Sequence, residues 1–264
     1  MKIAVCVKTI PEEPIWLRGD HRIDPETLRL VRGDRALLSP LDKHAVEEAL
    51  RLRETAGDGE VVLLSMAPAT AAPVLRSALA LGADRAVLVS DEALSGSDLL
   101  VTGRVLAQAL EREAPDLVLF GPQGEDSNGA VLWAAVAERL RLPLLSQASR
   151  LELVGGHARA ERQTEQGYDV IEAPLPCVVS VTSSINQPRY ASPRGVIAAK
   201  GRPVDTLALA DLGIGPENAG HAGSGTDVSA IFDPPPRAEA TLVENGDGTA
   251  AGQVLAYLSE RGLV

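Results

Sequence analysis

The sequence predicts an α/β fold built on an open, doubly wound parallel sheet, with a small antiparallel addition and a C-terminal arm. Three observations carry that expectation. Strand-like and helix-like segments alternate from residue 2 to residue 140. The strand-like segments are near-continuous apolar runs, as in KIAVCV at the start of the chain, and such runs belong to parallel strands covered on both faces. The stretch PDLVLFGPQGEDSNGAVLWAAVAERL, from Pro115 to Leu140, reads strand, loop, helix, with its turn formers concentrated between Gly121 and Gly129.

Lys2 to Val7 is the first strand. Lys8 to Arg35 is polar and punctuated by Pro11, Pro14, Gly19 and Pro25, which predicts a long excursion with room for a short hairpin. Ser39-Pro40-Leu41-Asp42 opens a helix through Leu52, because proline suits a first helical turn and Ala45, Val46, Ala49, Leu50 and Leu52 form a broad apolar face. Glu60 to Met66 is a strand, Ala71 to Leu81 a helix stopped by Gly82-Ala83-Asp84, and Ala86 to Ser90 the next strand. Ser97 to Arg112 is helical, with Leu99, Val101, Val105, Leu106 and Leu110 inward. The strand Asp116 to Phe120 and the helix from Val131 follow. From Arg150 the texture changes: Leu151 to Val154, Ala158 to Gln163 and Tyr168 to Glu172 are short strands parted by Gly155-Gly156 and Gln166-Gly167. Cys177 to Val181 is again fully apolar and is expected to rejoin the main sheet, and Asn186 to Arg194 is an irregular loop. Residues 201–237 are rich in Gly and Pro without a sustained period, which predicts an extended linker; Thr249 to Leu263 closes the chain as an amphipathic helix. The expected division is a nucleotide-binding α/β domain over residues 1–200 and an arm over 201–264.

Composition narrows the function. A hydrophobic content of 45% supports a sizeable core, and with only 3% aromatics that core is built from Ala, Leu and Val. A net charge of -11 argues against nucleic acid, whose phosphates are bound by clustered Lys and Arg. No apolar run approaches the roughly 18 residues of a membrane span, and Met1 leads straight into a strand, so a cytoplasmic location is expected. Cys6 and Cys177 lie in apolar runs and read as reduced core thiols.

In open parallel sheets ligands sit beyond the carboxyl ends of the strands, where the strand order reverses. The ends after Val7, Met66 and Phe120 are therefore expected to line one crevice. A loop that opens a helix presents unpaired backbone N–H groups and the positive end of the helix dipole, which together hold a phosphate without a cationic side chain. Asp126, Ser127 and Asn128 are each suited to cap that helix. Taken alone, such strand-to-helix turns are mostly structural. No HExxH, paired-cysteine, GxSxG or P-loop signature is present, and His21, His44, His157 and His221 are scattered, so neither a metal site nor bond-making chemistry is expected.

Several segments, in order along nearly the whole chain, resemble the beta subunit of electron transfer flavoproteins. Ile3 to Lys8, Ser39-Pro40 with Ala45-Val46-Glu47-Glu48-Ala49, and Ala78 to Arg85 look like family segments; Gly121, Gln123 and Asp126 fall on its Gly-x-Gln-x-x-Asp loop. Arg162, Glu165, Gly167 and Pro176 to Ser180 match most of its signature. Ile185 to Tyr190 resembles its Asn-Glu-Pro-Arg-Tyr run, with Gln187 in place of the acid, and Asp211-Leu212-Gly213 and Asp233 to Arg237 resemble later landmarks.

The resemblance implies an adenine-nucleotide alpha-hydrolase-like domain that pairs with an alpha subunit. The heterodimer would share one FAD, bound mostly by alpha, take electrons from acyl-CoA-type (fatty acid oxidation) or other flavin dehydrogenases, and pass them through a quinone oxidoreductase to the quinone pool. It implies no enzymatic step of the chain's own. The crevice would bury an AMP, a second FAD in some members, or neither, and the expected contacts are Cys6, Ser39, Leu41, Met66, Gly121, Gln123, Asp126, Ser127, Asn128 and Gly129. Leu41 replaces a common aromatic near the flavin. Ala130, Val131, Leu132 and Trp133 replace the hydroxyl, amide and glycine residues usual there. Arg189, Tyr190, Pro193 and Arg194 fall on the loop by which the family docks onto dehydrogenases, with Pro193 at a usual leucine anchor. The competing classes are a nucleotide-binding regulator of the universal stress type and an ATP-dependent ligase of the same fold. Glu172 to Pro176 lacks the Gly-rich motif of the first, and Lys8-Thr9-Ile10-Pro11 lacks the pyrophosphate loop of the second.

Overall fold

A computed structural model describes residues 1–11, 23–31, 36–232, 235–236, 240, 242–244 and 248–264. It divides into two units, Met1–Asp227 and Val228–Val264.

The first unit is organised around a nine-stranded sheet. Its strands are β1 (Lys2–Cys6), β6 (Glu60–Met66), β7 (Arg85–Val89), β8 (Leu117–Phe120), β9 (Leu144–Val154), β10 (His157–Thr164), β11 (Gly167–Pro174), β12 (Cys177–Val181) and β13 (Val204–Leu207). The intervening β2 (Thr9–Pro11) and β5 (Ala36–Leu38) pair with each other, and β3 (Ile23–Asp24) pairs with β4 (Arg29–Leu30) as a short hairpin. Residues 12–22 and 32–35 of the excursion, His21 included, lie outside the described residues. The sheet order is β11-β10-β9-β12-β8-β1-β6-β7-β13, parallel from β9 through β13 and antiparallel in the β9-β10-β11 meander.

Successive residues of the central strands point to opposite faces. Ile3, Val5, Leu63, Leu117, Leu119 and Val179 pack under α1 (Pro40–Ala56) and α2 (Ala72–Leu79). Ala4, Val62, Leu64, Val118 and Val178 pack on the other face with Val101, Val105 and Leu110 of α3 (Leu99–Glu113) and Val136 of α4 (Leu132–Leu140). All of these residues are almost wholly buried, so both cores are removed from water, each aliphatic side chain contributing about 1.5–3 kcal/mol of transfer free energy. Gly103 lets α3 approach α4 closely, since a Cβ there would sit 3.4 Å from the Ala135 methyl.

Two expectations are corrected. The strand placed at Leu151 to Val154 begins at Leu144 and serves two neighbours, running parallel to β12 at its start and antiparallel to β10 beyond Ala148. Polar Ser146, Gln147 and Ser149 break the apolar pattern there, and Gln147 adopts a left-handed φ of 56° where the pairing changes. The boundary expected at residue 200 also moves. Residues 204–207 extend the sheet along β7, and Leu207, Leu209, Leu212, Ile214 and Ala219 join the core over α3. Arg104 and Arg112 of α3 donate to the carbonyls of Asn218 and Asp211 at 3.2 and 3.1 Å. Short 3-10 turns held by single apolar side chains carry no period, which is why the segment reads as linker.

A short helix, α5 (Pro193–Ala199), stands before β13, and α6 (Gly220–Gly223) is a single turn. In the second unit the described residues form one regular element, α7 (Ala250–Glu260), with Val254, Leu255 and Tyr257 exposed. Asp233, Pro234 and Arg237 lie outside the described residues. Among the described residues no helix is long and apolar enough to cross a membrane.

Candidate functional site

The chain leaves β1, lays β6 and β7 to one side, and returns through α3 to β8 on the other side, so the strand order reverses at β1. Beyond the carboxyl ends of β1, β6 and β8 lies a cleft of about 500 Å³, within the size range of small-ligand sites. Its walls are the end of β1 (Cys6, Val7, Lys8), Met66, the loop from Gly121, and the first turns of α3 and α4. The three strand ends expected to share one crevice do so.

Asp42 supports the floor. It lies in the first turn of α1, is 6% exposed, and its Oδ2 accepts the Lys8 backbone N–H at 2.7 Å. The backbone N–H of Gly121 also favours its charged form, so this one carboxyl bears on both the end of β1 and the start of the loop. Burial pushes its carboxyl up to about 7, against the opposing pull of those two N–H groups and the Lys8 ammonium. Gly121 is required by this contact: a Cβ would overlap Asp42 Oδ1 and lie 3.1 Å from the Leu41 carbonyl oxygen.

Lys8 brings a cation to a loop that has none of its own. Its Nζ forms an ion pair with Asp126, whose side chain is fully buried, and reaches Ser127 Oγ at 3.3 Å. Within the loop, Gln123 Nε2 donates to Asn128 Oδ1 at 3.0 Å and the Asn128 N–H to the Gly124 carbonyl at 2.8 Å. Asn128 and Ala130 take left-handed φ values of 47° and 49°. Trp133 lines the cleft and donates its indole N–H to the Pro122 carbonyl at 3.2 Å, bracing loop against helix.

The capping expectation is overturned. The residue before α4 is Val131, and among the described residues no side chain caps that helix. Asp126 is turned to Lys8, and Asn128 to Gln123. The pull of an ammonium on a buried carboxylate outweighs a cap whose alternative is exposed backbone.

Of the ten predicted contact residues, Cys6, Met66, Gly121, Gln123, Ser127 and Gly129 line the cleft. Asp126 and Asn128 hold the loop from behind. Ser39 is fully buried; its N–H donates to the Lys8 carbonyl at 2.9 Å and its own carbonyl receives the Asp42 and Lys43 N–H groups, so it joins β1 to α1 instead of facing the cleft. Leu41 is half-buried beside Gly121. Sequence reasoning missed Lys8, Asp42, Asp98 and Thr102, which also line the cleft. A charged residue directly after an apolar strand, as Lys8 is, was the available signal. Cys6 and Cys177 are both free, buried thiols on opposite faces of the sheet, and burial pushes both above the ordinary thiol range.

The other end of α1 fixes the second predicted surface. Arg189 donates to Glu47 (Nε to Oε2, 2.8 Å; NH2 to Oε1, 3.0 Å) and to Glu54 (NH1 to Oε1, 2.6 Å), and its backbone N–H reaches Glu47 Oε2 at 3.1 Å. Asn186 donates to Glu48 Oε2 at 2.9 Å and to the His44 carbonyl at 3.0 Å. These carboxylates hold the guanidinium charged, Glu54 most, then Glu47. Arg189 is thus turned inward and clamps the loop to α1. Tyr190 is 95% exposed, Pro193 and Arg194 are exposed on α5, and Ile197 is 70% exposed beside them.

The family described as the electron transfer flavoprotein domain matches residues 27–212. Over 267 residues, and the full length of both chains, the sequence is 33% identical to the caffeyl-CoA reductase-Etf complex subunit CarD of Acetobacterium woodii. It is 35% identical to the electron transfer flavoprotein subunit beta of Mycobacterium bovis, covering 97% of each chain, and 35% identical to that of Megasphaera elsdenii, covering 94% of this chain and 93% of the relative. With a parallel-dominant α/β sheet, a cleft at its switch point and full-length similarity to these relatives, the chain belongs to the electron transfer flavoprotein family, on the side of its beta subunits.

Proposed function

We propose that this chain is the beta subunit of a cytoplasmic heterodimer in which an alpha subunit and this subunit together hold one FAD that accepts electrons from a flavin dehydrogenase and passes them towards a quinone oxidoreductase. The observation that carries the reading is the similarity to a beta subunit over 97% of each chain. The bound flavin supplies the electron chemistry. The chain's own residues contribute position. Asp42 and Lys8 fix the ends of the strands and the loop, Leu41 presents an apolar side chain at the start of α1 toward the flavin side, and Tyr190, Pro193 and Arg194 offer an exposed face to the electron donor. The cleft takes an adenosine moiety. Of the carboxylates at the cleft, Asp126 is paired with Lys8, and Asp42 and Asp98 accept backbone N–H groups, which supports a positioning role in an electron carrier.

No strand in the sequence carries a GxGxxG turn into a helix, so the chain alone lacks the fingerprint of a self-sufficient dinucleotide site. Co-expressed with its alpha subunit, it is expected to elute with one FAD per heterodimer; alone it should elute colourless. Stoichiometric FAD on the isolated chain would overturn the assignment of flavin to the pair. The exposed apolar face of α7 is proposed to lie against the alpha subunit. Deleting residues 249–264 should weaken one-to-one co-purification, and unchanged assembly would remove α7 from that interface.

A further inference from the structure

A helix of seven residues makes too few internal hydrogen bonds to persist in water by itself, so the order of α5 comes from what it packs on. Gly195 and Ala199, four positions apart, share its inner face. Ala199 is buried in the same core as Leu75, Ala78 and Leu79 of α2. A Cβ on Gly195 would stand 2.4 Å from the Ala80 carbonyl oxygen, so glycine alone lets the first turn of α5 approach so closely. The carboxyl ends of the two helices are joined by an exchange of arginines. The last carbonyl groups of a helix have no partner within it and carry its negative pole. Arg202, just beyond α5, donates to the Leu79 carbonyl at the end of α2 at 2.8 Å, and to the Ala83 carbonyl in the turn that follows. Arg76, in the last turn of α2, reaches the carbonyls of Ala199, Lys200 and Arg202 at 3.4, 3.3 and 3.2 Å.

The outer face of α5 carries Pro193, Val196, Ile197 and Lys200, all exposed. We propose that Arg76, Gly195 and Arg202 are positioning residues for electron delivery: they hold α5 folded before the electron donor arrives, so that docking requires no ordering of that helix. This inference rests on the reading that Tyr190, Pro193 and Arg194 face the dehydrogenase, and it names the residues behind that face that give it shape. A surface that is folded only part of the time binds with an affinity reduced by the folded fraction, whereas the complex, once formed, keeps the same geometry. Loosening α5 therefore raises the dehydrogenase concentration needed for half-maximal transfer and leaves the transfer rate within the complex as it was.

The test mixes the FAD-loaded heterodimer with its substrate-reduced native dehydrogenase over a range of dehydrogenase concentrations in a stopped-flow instrument. Arg76→Ala and Arg202→Ala are each expected to raise the half-saturating concentration about fivefold, with the limiting rate within about twofold of wild type and FAD content unchanged. Gly195→Ala is expected to raise it about threefold although alanine is the better helix former, because the added methyl pushes α5 off α2. Hydrogen exchange at the Val196, Lys200 and Gly201 amides, which donate to the Ser192, Ile197 and Ala198 carbonyls, should quicken in both arginine variants. Arg76→Lys keeps the cation without the planar fork, is expected to fall between wild type and Arg76→Ala, and carries the test should the alanine variant fail to assemble. Arg112→Ala, which removes a carbonyl contact on the opposite face of the sheet, should move neither readout. The inference is overturned if the half-saturating concentration stays put in variants that retain FAD, if the limiting rate alone falls, if exchange in α5 is unchanged, or if Arg112→Ala has the same effect. Pro193→Asp in the same series reports on the docking reading: an effect there with none from the arginine variants refutes the positioning role alone, and no effect there removes the docking face and this inference with it.

Discussion

Replacing Asp42 by asparagine tests how the floor of the cleft is built. The carboxyl is 6% exposed and its folded value of about 7 stands well above its ordinary 3.8, chiefly because burial penalises the charge, with Glu125 adding to the effect and Lys8 opposing it. Between its ordinary and its folded value the folded state keeps a proton that the unfolded state has lost, so this group's contribution is complete at low pH and is lost as pH rises through the folded value. At about 1.4 kcal/mol per tenfold change in proton affinity, the full effect is on the order of 4 kcal/mol, and about 3 kcal/mol of it falls between about pH 5 and 8. The asparagine amide cannot ionise, keeps one acceptor for the Lys8 N–H, and places an amide donor near the Gly121 N–H. The difference in urea unfolding free energy between wild type and Asp42→Asn should therefore shift by about 3 kcal/mol in favour of the variant as pH is raised from about 5 to 8. Glu48, also raised by burial, titrates in both proteins and cancels from the difference. Parallel pH profiles for the two proteins would show that Asp42 does not carry its charge into the interior, and the account of the floor would fail.

Two further outcomes are expected. Gly121→Ala drives a methyl against Asp42 and the Leu41 carbonyl, and should lower unfolding free energy by about 1–3 kcal/mol, whereas Gly129→Ala, with nothing within 4 Å of the added carbon, should change it by less than about 0.5 kcal/mol; equal effects in urea titrations would contradict the packing. Pro193→Asp places a charge on the exposed face beside Tyr190 and Ile197, and should slow electron delivery from the native dehydrogenase several-fold with flavin content constant; an unchanged stopped-flow rate would take this loop out of the docking surface.

The sheet was legible because strands covered on both faces must be apolar throughout, so KIAVCV, EVVLLSM and CVVSV announce themselves, and the loop after Phe120 follows from the order of elements. What escaped depends on residues far apart in the chain. The partner of Asp126 is Lys8, 118 positions earlier, and nothing local distinguishes an aspartate that will cap a helix from one that will meet a distant ammonium. Arg189 reads as a docking cation until the fold brings Glu47 and Glu54 against it. Residues 204–219 have too few apolar side chains to show a period, yet each of those side chains lands on α3 or β7, whose shape supplies the order that the segment itself lacks.

In the proposed function electrons reach a flavin held jointly by this chain and its partner. The most direct measurement mixes the FAD-loaded heterodimer anaerobically with its substrate-reduced native dehydrogenase and follows the flavin absorbance of the heterodimer. Bleaching of that flavin, lost when this chain is omitted from the mixture, is the expected result; a flavin that stays oxidised, or that is reduced equally well by an alpha subunit without this chain, would contradict the account.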